Sequence, residues 1–159
     1  KMPFLIRWPG HIRPGRRIDA MIQNIDYTPT FLDMAGVKCP DDVQGRSFKN
    51  VLESKTPSDW RQSIYYHYYD HGRHNVPRHE GVRTRSFKLI HFYTDGNYEF
   101  YDLKSDPYEI NNLYNDERYA NEIEMMRNKL DSLRDHYHVP EKVFHEPYVP
   151  FSGITTMKN

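Results

Sequence analysis

Two runs of strand-forming residues joined by a tight-turn pair constrain the fold of this chain most. Residues 86–93 and 98–103 are rich in aromatic and large aliphatic side chains, and Asp95-Gly96 lies between them. Asp-Gly pairs are favoured in short hairpin turns because glycine adopts a positive φ without a steric penalty. The pattern predicts an antiparallel β-hairpin over residues 86–103.

Further strand and helix patterns flank this hairpin. The aromatic segment 63–69 and the segment 81–93 predict strands. From residue 116 onwards, apolar residues recur at the spacing of an α-helix. On such a helix one face would consist of Tyr119, Ile123, Met126, Leu130 and Leu133. We therefore expect an α+β fold, in which a C-terminal helix near 116–136 packs on a small antiparallel sheet of about four strands. Three strands lie near 63–69, 81–93 and 98–103, and one is unplaced.

The first residues carry a short apolar run, Phe4–Trp8, which Pro9-Gly10 closes. Such a run predicts a strand buried on both faces, and a strand of this kind needs sheet neighbours on each side. The residues ahead of it are too few to supply them, so we expect this chain to be the C-terminal part of a longer protein. Downstream, Thr28 and Pro29 suit the start of a helix, and Gly36 suits its end.

Charge and composition exclude several classes of protein. The 22 basic and 22 acidic residues cancel, which excludes a generally basic nucleic-acid binder. No apolar stretch is long enough to span a membrane, and no secretory leader precedes the first apolar run. Cys39 is the single cysteine, so an internal disulfide is impossible. Because Asp41 and Asp42 beside it disfavour a thiolate, we do not expect Cys39 to be catalytic.

Positive charge is concentrated in one part of the chain. Residues 61–91 contain six arginine and lysine residues against two acidic ones, together with five histidines. This composition makes the segment a candidate anion-facing surface. Residues 95–135, by contrast, are strongly acidic. The alternative is that the arginines simply pair with this neighbouring acidic segment.

Four histidines lie close together in the sequence: His67, His71, His74 and His79. Neutral imidazole is a common zinc ligand, but no cysteine or HExxH motif accompanies them, and glycine and proline interrupt the segment. We favour hydrogen bonding from histidine to a polar, anionic ligand over a metal site. Simple solvated loop histidines remain the alternative.

Five short motifs occur one after another along residues 1–137. They are PFLIRWPG (3–10), NIDYTPTFLDMAG (24–36), QGRS (44–47), GVRT with KLI (81–90), and YDLKSDPYE with NL (101–113). In this order they resemble the C-terminal portion of the type I sulfatases, the formylglycine-dependent enzymes of the alkaline-phosphatase-like superfamily. The closest resemblance is to bacterial sulfatases of the glycosaminoglycan or iduronate-sulfatase-like kind.

The resemblance implies a division of the chain. Residues 1–56 correspond to the C-terminal remnant of the α/β catalytic domain, residues 57–140 to the C-terminal subdomain, and residues 141–159 to an irregular tail. The family's nucleophile motif and its paired N-terminal aspartates are absent. Calcium and formylglycine are accordingly expected in an N-terminal part that this chain lacks. Asp70-His71-Gly72 resembles a metal-binding motif of the family, but its place between QGRS and GVRT argues against a role as a ligand.

The candidate site follows from the same resemblance. The segment 72–83 is similar to the family loop that reaches over the active-site pocket, where histidine and arginine contact the sugar. The resemblance implies that His74, Arg78 and His79 contact substrate, because arginine binds sulfate bidentately and histidine hydrogen-bonds hydroxyls. Arg83 is expected to be structural and to tie its strand to the catalytic domain.

For the intact protein, the resemblance implies hydrolysis of a sulfate ester or sulfamate on a carbohydrate, in the periplasm or outside the cell. This segment would supply a substrate-binding loop and support, but no catalytic residue and no metal ligand, and would be inactive alone. Its expected partners are the sulfated carbohydrate and the N-terminal catalytic domain. Two alternatives stay open: a non-catalytic module that binds sulfated glycans or other anions, and a phosphoesterase or phosphotransferase of the same superfamily.

Overall fold

The computed structural model describes residues 3–54, 56–70 and 76–146. The chain forms two compact units, Lys1–Gln62 and Ser63–Asn159. The first contains α1 (Tyr27–Met34) and α2 (Lys49–Glu53), with a 3-10 turn at Asn24–Asp26. The second contains β1 (Ser63–Tyr68), β2 (His79–Thr84), β3 (Phe87–Phe92), β4 (Asn97–Asp102) and α3 (Ala120–His136), with 3-10 turns at Glu117–Tyr119 and Glu141–Phe144. The α+β prediction is confirmed, while the assignment of residues 1–56 to a catalytic domain stays a prediction.

The four strands form one antiparallel sheet in the order β1-β2-β3-β4. β3 and β4 form the predicted hairpin, which closes at the pair Phe92 and Asn97. The predicted strand 81–93 is wrong in one respect, because it is two strands. Thr84 ends β2 in a tight turn, in which its hydroxyl accepts a hydrogen bond from the Phe87 amide at 2.9 Å. The strand that could not be placed from the sequence arises from this reversal.

The core of the second unit lies between the sheet and α3. Side chains alternate between the two faces of the sheet, and those on one face pack against the helix. The apolar side chains of α3 recur with the helical period, so they lie on the face that packs against the sheet. The fully packed side chains are Val82, Leu89, Phe100, Ile123, Met126 and Leu130. The three from α3 belong to the helical face that the sequence predicted.

Gly81 in the GVRT motif is required by the packing of the sheet. It is paired with Tyr66 on β1, and the hydroxyl end of the Tyr66 side chain lies close to it. A Cβ atom at Gly81 would lie 2.4 Å from the Tyr66 ring and 2.7 Å from the carbonyl oxygen of Leu89. Both distances are far below van der Waals contact, so only glycine fits in β2 at this position.

The first unit has a small core of its own around Phe48. The predicted strand at Phe4–Trp8 stays a prediction, because its expected sheet neighbours lie outside this chain. Residues 3–8 form no strand, and Leu5 is 96% exposed. Phe4 stacks on Tyr27 with ring centroids 5.1 Å apart and meets the edge of Phe48. Only one face of the segment therefore finds apolar neighbours within this unit, and the other face remains open.

Asp26 explains why the NID and QGR motifs occur together. Its carboxylate is fully buried and accepts hydrogen bonds from the main-chain amides of Gln23 (2.7 Å) and Arg46 (2.9 Å). The Arg61 guanidinium binds both of its oxygens. Gly45 allows this approach, because a Cβ atom there would lie 1.9 Å from the carbonyl oxygen of residue 25. One carboxylate thus joins three segments of the unit.

The helix starts two residues earlier than predicted from Thr28 as the cap and Pro29 as the first helical residue. α1 begins at Tyr27, and Thr28 and Pro29 lie inside its first turn. Thr30 has its hydroxyl buried between the carbonyl oxygen of Asp26 and the amide of Phe48. The helix starts early because the turn at Asn24–Asp26 runs directly into it.

Candidate functional site

A buried carboxylate, Glu80 on β2, lies at the centre of the polar groups in the second unit. It is completely inaccessible to solvent. Arg134 of α3 binds both of its oxygens, with Nε donating at 2.8 Å. His91 Nδ1 of β3 lies 3.0 Å from one oxygen, and the Tyr65 hydroxyl of β1 donates to the other at 3.0 Å. Strands β1, β2 and β3 and the helix therefore converge on a single charge.

The hydrogen bonds continue from Glu80 towards the end of the sheet. The Tyr65 hydroxyl also lies 2.9 Å from Nδ1 of His67, and Nε2 of the same ring lies 3.0 Å from the hydroxyl of Tyr93. His67 is stacked between Tyr69, at 3.8 Å between ring centroids, and Phe144, at 5.6 Å. We call Glu80, Tyr65, His67 and Tyr93 the polar chain.

The electrostatics of the polar chain follow from burial and pairing. Burial alone would raise the pKa of Glu80, but hydrogen bonds from Arg134, His91 and Tyr65 outweigh it and lower the pKa to about 2. Burial lowers the pKa of His67 to about 4, against a partly opposing effect of Glu80. Burial and the adjacent Glu80 both raise the pKa of Tyr65. At neutral pH the chain consists of one carboxylate, one neutral imidazole and two neutral phenols.

The predicted substrate-contacting residues lie beside the outer end of the polar chain, as far as they are described. Arg78 lies just ahead of β2, and its guanidinium carbon is 6.0 Å from the centre of the Tyr93 ring. Its Nη1 donates to the carbonyl oxygen of Glu146 at 2.9 Å, and its buried Nε has no hydrogen-bond partner in the part of the chain that is described. His74 lies outside the described residues.

His79, the first residue of β2, is held by its neighbours. Its Nδ1 lies 2.9 Å from the carbonyl oxygen of Pro77, and because a carbonyl only accepts, Nδ1 is the donor. The ring stacks on Tyr68 at 5.4 Å and contacts Phe92. Nε2 is then the acceptor nitrogen of the neutral ring. Arg78 and His79 are thus consecutive residues at the same end of the sheet.

Other basic residues of this segment pair with the acidic part of the chain. Arg83 Nη1 lies 3.2 Å from Glu109, and Lys88 binds the second oxygen of the same carboxylate. The alternative of pairing between the two segments is therefore correct for these residues. The ion pair of Arg83 with Glu109 lies within the second unit, and the expectation that Arg83 ties its strand to the catalytic domain stays a prediction.

The histidine, cysteine and acidic side chains of the two units are the possible metal ligands of this chain. Among residues 3–54, 56–70 and 76–146, no three histidine, cysteine or acidic side chains come together in a group that could hold an ion. His67 and His79 instead contact aromatic rings, hydroxyls and a carbonyl oxygen. No helix in the described part of the chain is long and apolar enough to cross a membrane.

Known proteins match this chain over most of its length. The sequence model of the family described as N-sulphoglucosamine sulphohydrolase, C-terminal, matches residues 1–136. The chain belongs to this sulfatase family. The resemblance of the five motifs to the C-terminal portion of the sulfatases is thereby confirmed.

Two relatives of this sulfatase segment come from bacteria. It is 47% identical over 141 residues to an N-acetylglucosamine-6-O-sulfatase of Bacteroides thetaiotaomicron, covering 86% of this chain and 25% of the relative. It is 33% identical over 132 residues to an arylsulfatase of Clostridium perfringens, covering 80% and 26%. The sulfatase segment thus spans about a quarter of the length of these curated relatives.

A solved structure of similar fold was determined with its substrate, D-glucosamine-2-N,6-O-disulfate. Its TM-score to this sulfatase segment is 0.83 at 44% identity, covering 88% of this chain and 29% of that one. The sheet and C-terminal helix described above are therefore the fold of sulfatase C-terminal domains.

The sequence of this sulfatase segment points to Arg78 and His79 as candidates, a role that stays a prediction, but it does not point to the polar chain. His67 was considered only as one of four histidines, and Glu80 was not considered. A pattern that points to them does exist. Tyr65 and His67 alternate onto one face of β1, and the register pairs His67 with Glu80 on β2. Finding them requires the register, because a charged residue inside a strand ordinarily faces solvent.

Proposed function

We propose that the intact protein hydrolyses the 6-O-sulfate ester of a glucosamine-type sugar, and that this chain supplies part of the surface that binds the sugar. The observation that carries the proposal is the 47% identity to an N-acetylglucosamine-6-O-sulfatase over 86% of the chain. The likeness to a structure in complex with D-glucosamine-2-N,6-O-disulfate supports the same substrate class.

The geometry of Arg78 supports a role in binding an anion. Its guanidinium makes one hydrogen bond, to a main-chain carbonyl, and its Nε is unpartnered in the described part of the chain. It therefore retains donors in the planar arrangement that suits a sulfate group. His79 presents an acceptor nitrogen suited to a sugar hydroxyl. We assign substrate contact to His74, Arg78 and His79.

The chemical step belongs to the remainder of the intact protein. Formylglycine supplies the nucleophile in this enzyme family, and calcium, an oxygen-seeking cation, neutralises sulfate oxygens when bound. We propose that both reside in an N-terminal α/β domain of which residues 1–56 are the last part, with residues 57–140 as the C-terminal subdomain. We further propose a periplasmic or extracellular location, where sulfated polysaccharide fragments are encountered.

The proposed function is tested by measuring release of inorganic sulfate by the full-length protein. The substrates are N-acetylglucosamine 6-sulfate, D-glucosamine-2-N,6-O-disulfate, and glucosamine N-sulfate without a 6-O-sulfate. We expect one equivalent of sulfate from each of the first two substrates and none from the third. Sulfate release from the N-sulfated sugar alone would contradict the proposed position of cleavage.

Two further measurements separate the proposal from its alternatives. The full-length protein should hydrolyse p-nitrophenyl sulfate much faster than p-nitrophenyl phosphate, and the reverse order would indicate a phosphoesterase. Binding of the sulfated sugar without any turnover would indicate a non-catalytic module. The isolated 159-residue chain should release no sulfate, because it lacks a nucleophile motif.

A further inference from the structure

The polar chain has no part in the function proposed above, although it contains a fully buried charge. We propose that it is a positioning device for Arg78: it holds the Tyr93 ring beside the guanidinium and thereby sets the affinity of the site for the sulfated sugar. This inference rests on the proposed function and assigns positioning roles to His67 and Tyr93. Four steps of the geometry lead to it.

The first step is the direction of the hydrogen bonds. An ionised carboxylate only accepts, so the Tyr65 hydroxyl donates to Glu80. The Tyr65 oxygen must then accept from Nδ1 of His67, 2.9 Å away. In a neutral imidazole the other nitrogen is an acceptor, so Nε2 accepts from the Tyr93 hydroxyl at 3.0 Å. Every proton in the chain is donated towards Glu80.

The second step is the rigidity of the anchor. Glu80 lies in a central strand and is bound from α3 by Arg134 and from β3 by His91. Its position is therefore set by the core of the unit rather than by a surface loop. A side chain that is connected to this carboxylate by hydrogen bonds is therefore restricted to one position. Tyr93 is such a group, because it lies just after β3, where the hairpin turn begins.

The third step is a second path of contacts from the same anchor. The Arg134 guanidinium lies 5.1 Å from the centre of the Phe144 ring. Phe144 in turn meets Tyr93 edge-on, with centroids 5.1 Å apart and an interplanar angle of 89°. Tyr93 is thus held from Glu80 by hydrogen bonds through His67 and by packing through Phe144. The two paths close a ring of contacts.

The fourth step links Tyr93 to the substrate-binding residue. The Arg78 guanidinium lies beside the Tyr93 ring, within the range of a cation–π contact, and donates to the carbonyl oxygen of Glu146. Glu146 follows the 3-10 turn that carries Phe144. Both groups that hold the guanidinium therefore depend on the ring of contacts. Loss of the His67–Tyr93 hydrogen bond should let the Tyr93 ring and Arg78 shift together.

The test is steady-state kinetics of the full-length protein with His67→Asn and Tyr93→Phe. Each variant removes the same hydrogen bond, and neither alters Arg78. We expect each to raise KM for N-acetylglucosamine 6-sulfate roughly 3–10-fold, as for loss of one buried hydrogen bond. The kcat should stay within about twofold, because the nucleophile is untouched. Turnover of p-nitrophenyl sulfate, which lacks the sugar, should not change.

A double-mutant cycle separates positioning from general damage. The variant with both substitutions should be no worse than His67→Asn alone, because the hydrogen bond that Tyr93→Phe removes is already broken in His67→Asn. Additive losses, or equal losses with p-nitrophenyl sulfate, would overturn the inference. The matched controls are His145→Asn and Tyr108→Phe, whose side chains are largely exposed and should leave KM unchanged.

The inference and the proposed function fail in different ways. If the wild-type protein releases no sulfate from any sugar, the proposed function is wrong. The positioning role is then judged from crystal structures of the wild type and His67→Asn. Displacement of Tyr93 and Arg78 in the variant would support it, and unchanged positions of both side chains would refute it.

Discussion

The two units of this chain each bury one carboxylate completely and pair it with an arginine, but they use the charge differently. Asp26 in the first unit accepts from two main-chain amides and from Arg61. Glu80 in the second unit accepts, among the described residues, from the side chains of Arg134, His91 and Tyr65. The first charge therefore fixes backbone segments, whereas the second orders side chains.

This difference determines how far each charge acts. The contacts of Asp26 join the NID turn, the QGR segment and Arg61, and its role is complete once those segments are in place. One partner of Glu80, Tyr65, makes a further hydrogen bond to His67, which in turn is hydrogen-bonded to Tyr93. The position of Glu80 therefore affects the positions of these side chains as well. A buried carboxylate bound by main-chain amides is thus an architectural element, and one bound by side chains can also serve a binding site.

The largest expected effect comes from Asp26→Asn, which leaves Arg61 without its buried counter-charge. Removing one partner of a buried ion pair typically costs about 3–5 kcal/mol. We expect hydrogen–deuterium exchange in the full-length protein to accelerate strongly over residues 23–52 and to stay unchanged over residues 79–103. The control Asp41→Asn breaks only an exposed pair with Lys38 and should have little effect.

Glu80→Gln in the second unit is the counterpart of Asp26→Asn in the first. Glu80→Gln should accelerate exchange over residues 79–103 while sparing residues 23–52, because each charge stabilises its own unit. If either substitution accelerates exchange in both stretches equally, the two networks are not independent and the comparison fails.

A smaller effect is expected from Gly81→Ala in β2. The added methyl group would meet the Tyr66 ring and the carbonyl oxygen of Leu89, and overpacking of this kind costs about 1–3 kcal/mol. We expect a lower melting temperature of the full-length protein and faster exchange in β1 and β2. Tyr66→Ala should relieve part of the loss when combined with it, and a wild-type melting temperature for Gly81→Ala would contradict this packing.

The smallest effect is the dependence of stability on pH. Burial lowers the pKa of His67 from 6.5 to about 4, in surroundings that include Glu80, Arg134, His79, Tyr65 and Tyr93. Between these values the unfolded state binds a proton that the folded state excludes, so stability falls as the pH drops from 6.5 to 4. Glu80 acts in a lower window, between 4.5 and about 2.

The measurement is the melting temperature from pH 7 to pH 4 for the wild type and His67→Gln. The variant lacks the imidazole and should show a flatter profile between pH 6.5 and 4. An equally steep profile in the variant would assign the acid sensitivity to other groups.

Local patterns allowed much of the fold to be predicted from the sequence. The hairpin and α3 follow from the turn pair at Asp95-Gly96 and from the period of the apolar residues on the helix, both of which act over short distances. The reversal after Thr84 was missed because it contains neither glycine nor proline. The strand predicted at Phe4–Trp8 does not form within this chain, because a strand needs sheet neighbours and those expected for it lie outside these residues.

The candidate site was predicted less completely, for a physical reason. Arg78 and His79 are candidates because the segment 72–83 resembles the family loop that reaches over the active-site pocket. Glu80 and Tyr93 act through the register of the sheet and through contacts with α3, which brings Arg134 to a residue 54 positions away in the sequence. Such a network is visible only when the tertiary structure is known.

The central claim is that this chain contributes binding groups rather than catalytic groups to a sulfatase, and Arg78→Ala tests it most directly. The measurement compares KM and kcat of the full-length protein for N-acetylglucosamine 6-sulfate and for p-nitrophenyl sulfate, with Arg118→Ala as the exposed control. We expect the KM for the sugar to rise roughly 10–100-fold, as for loss of a charged hydrogen-bonding partner, and turnover of the aryl sulfate to be retained. Equal loss of kcat with both substrates, or an unchanged KM for the sugar, would contradict it.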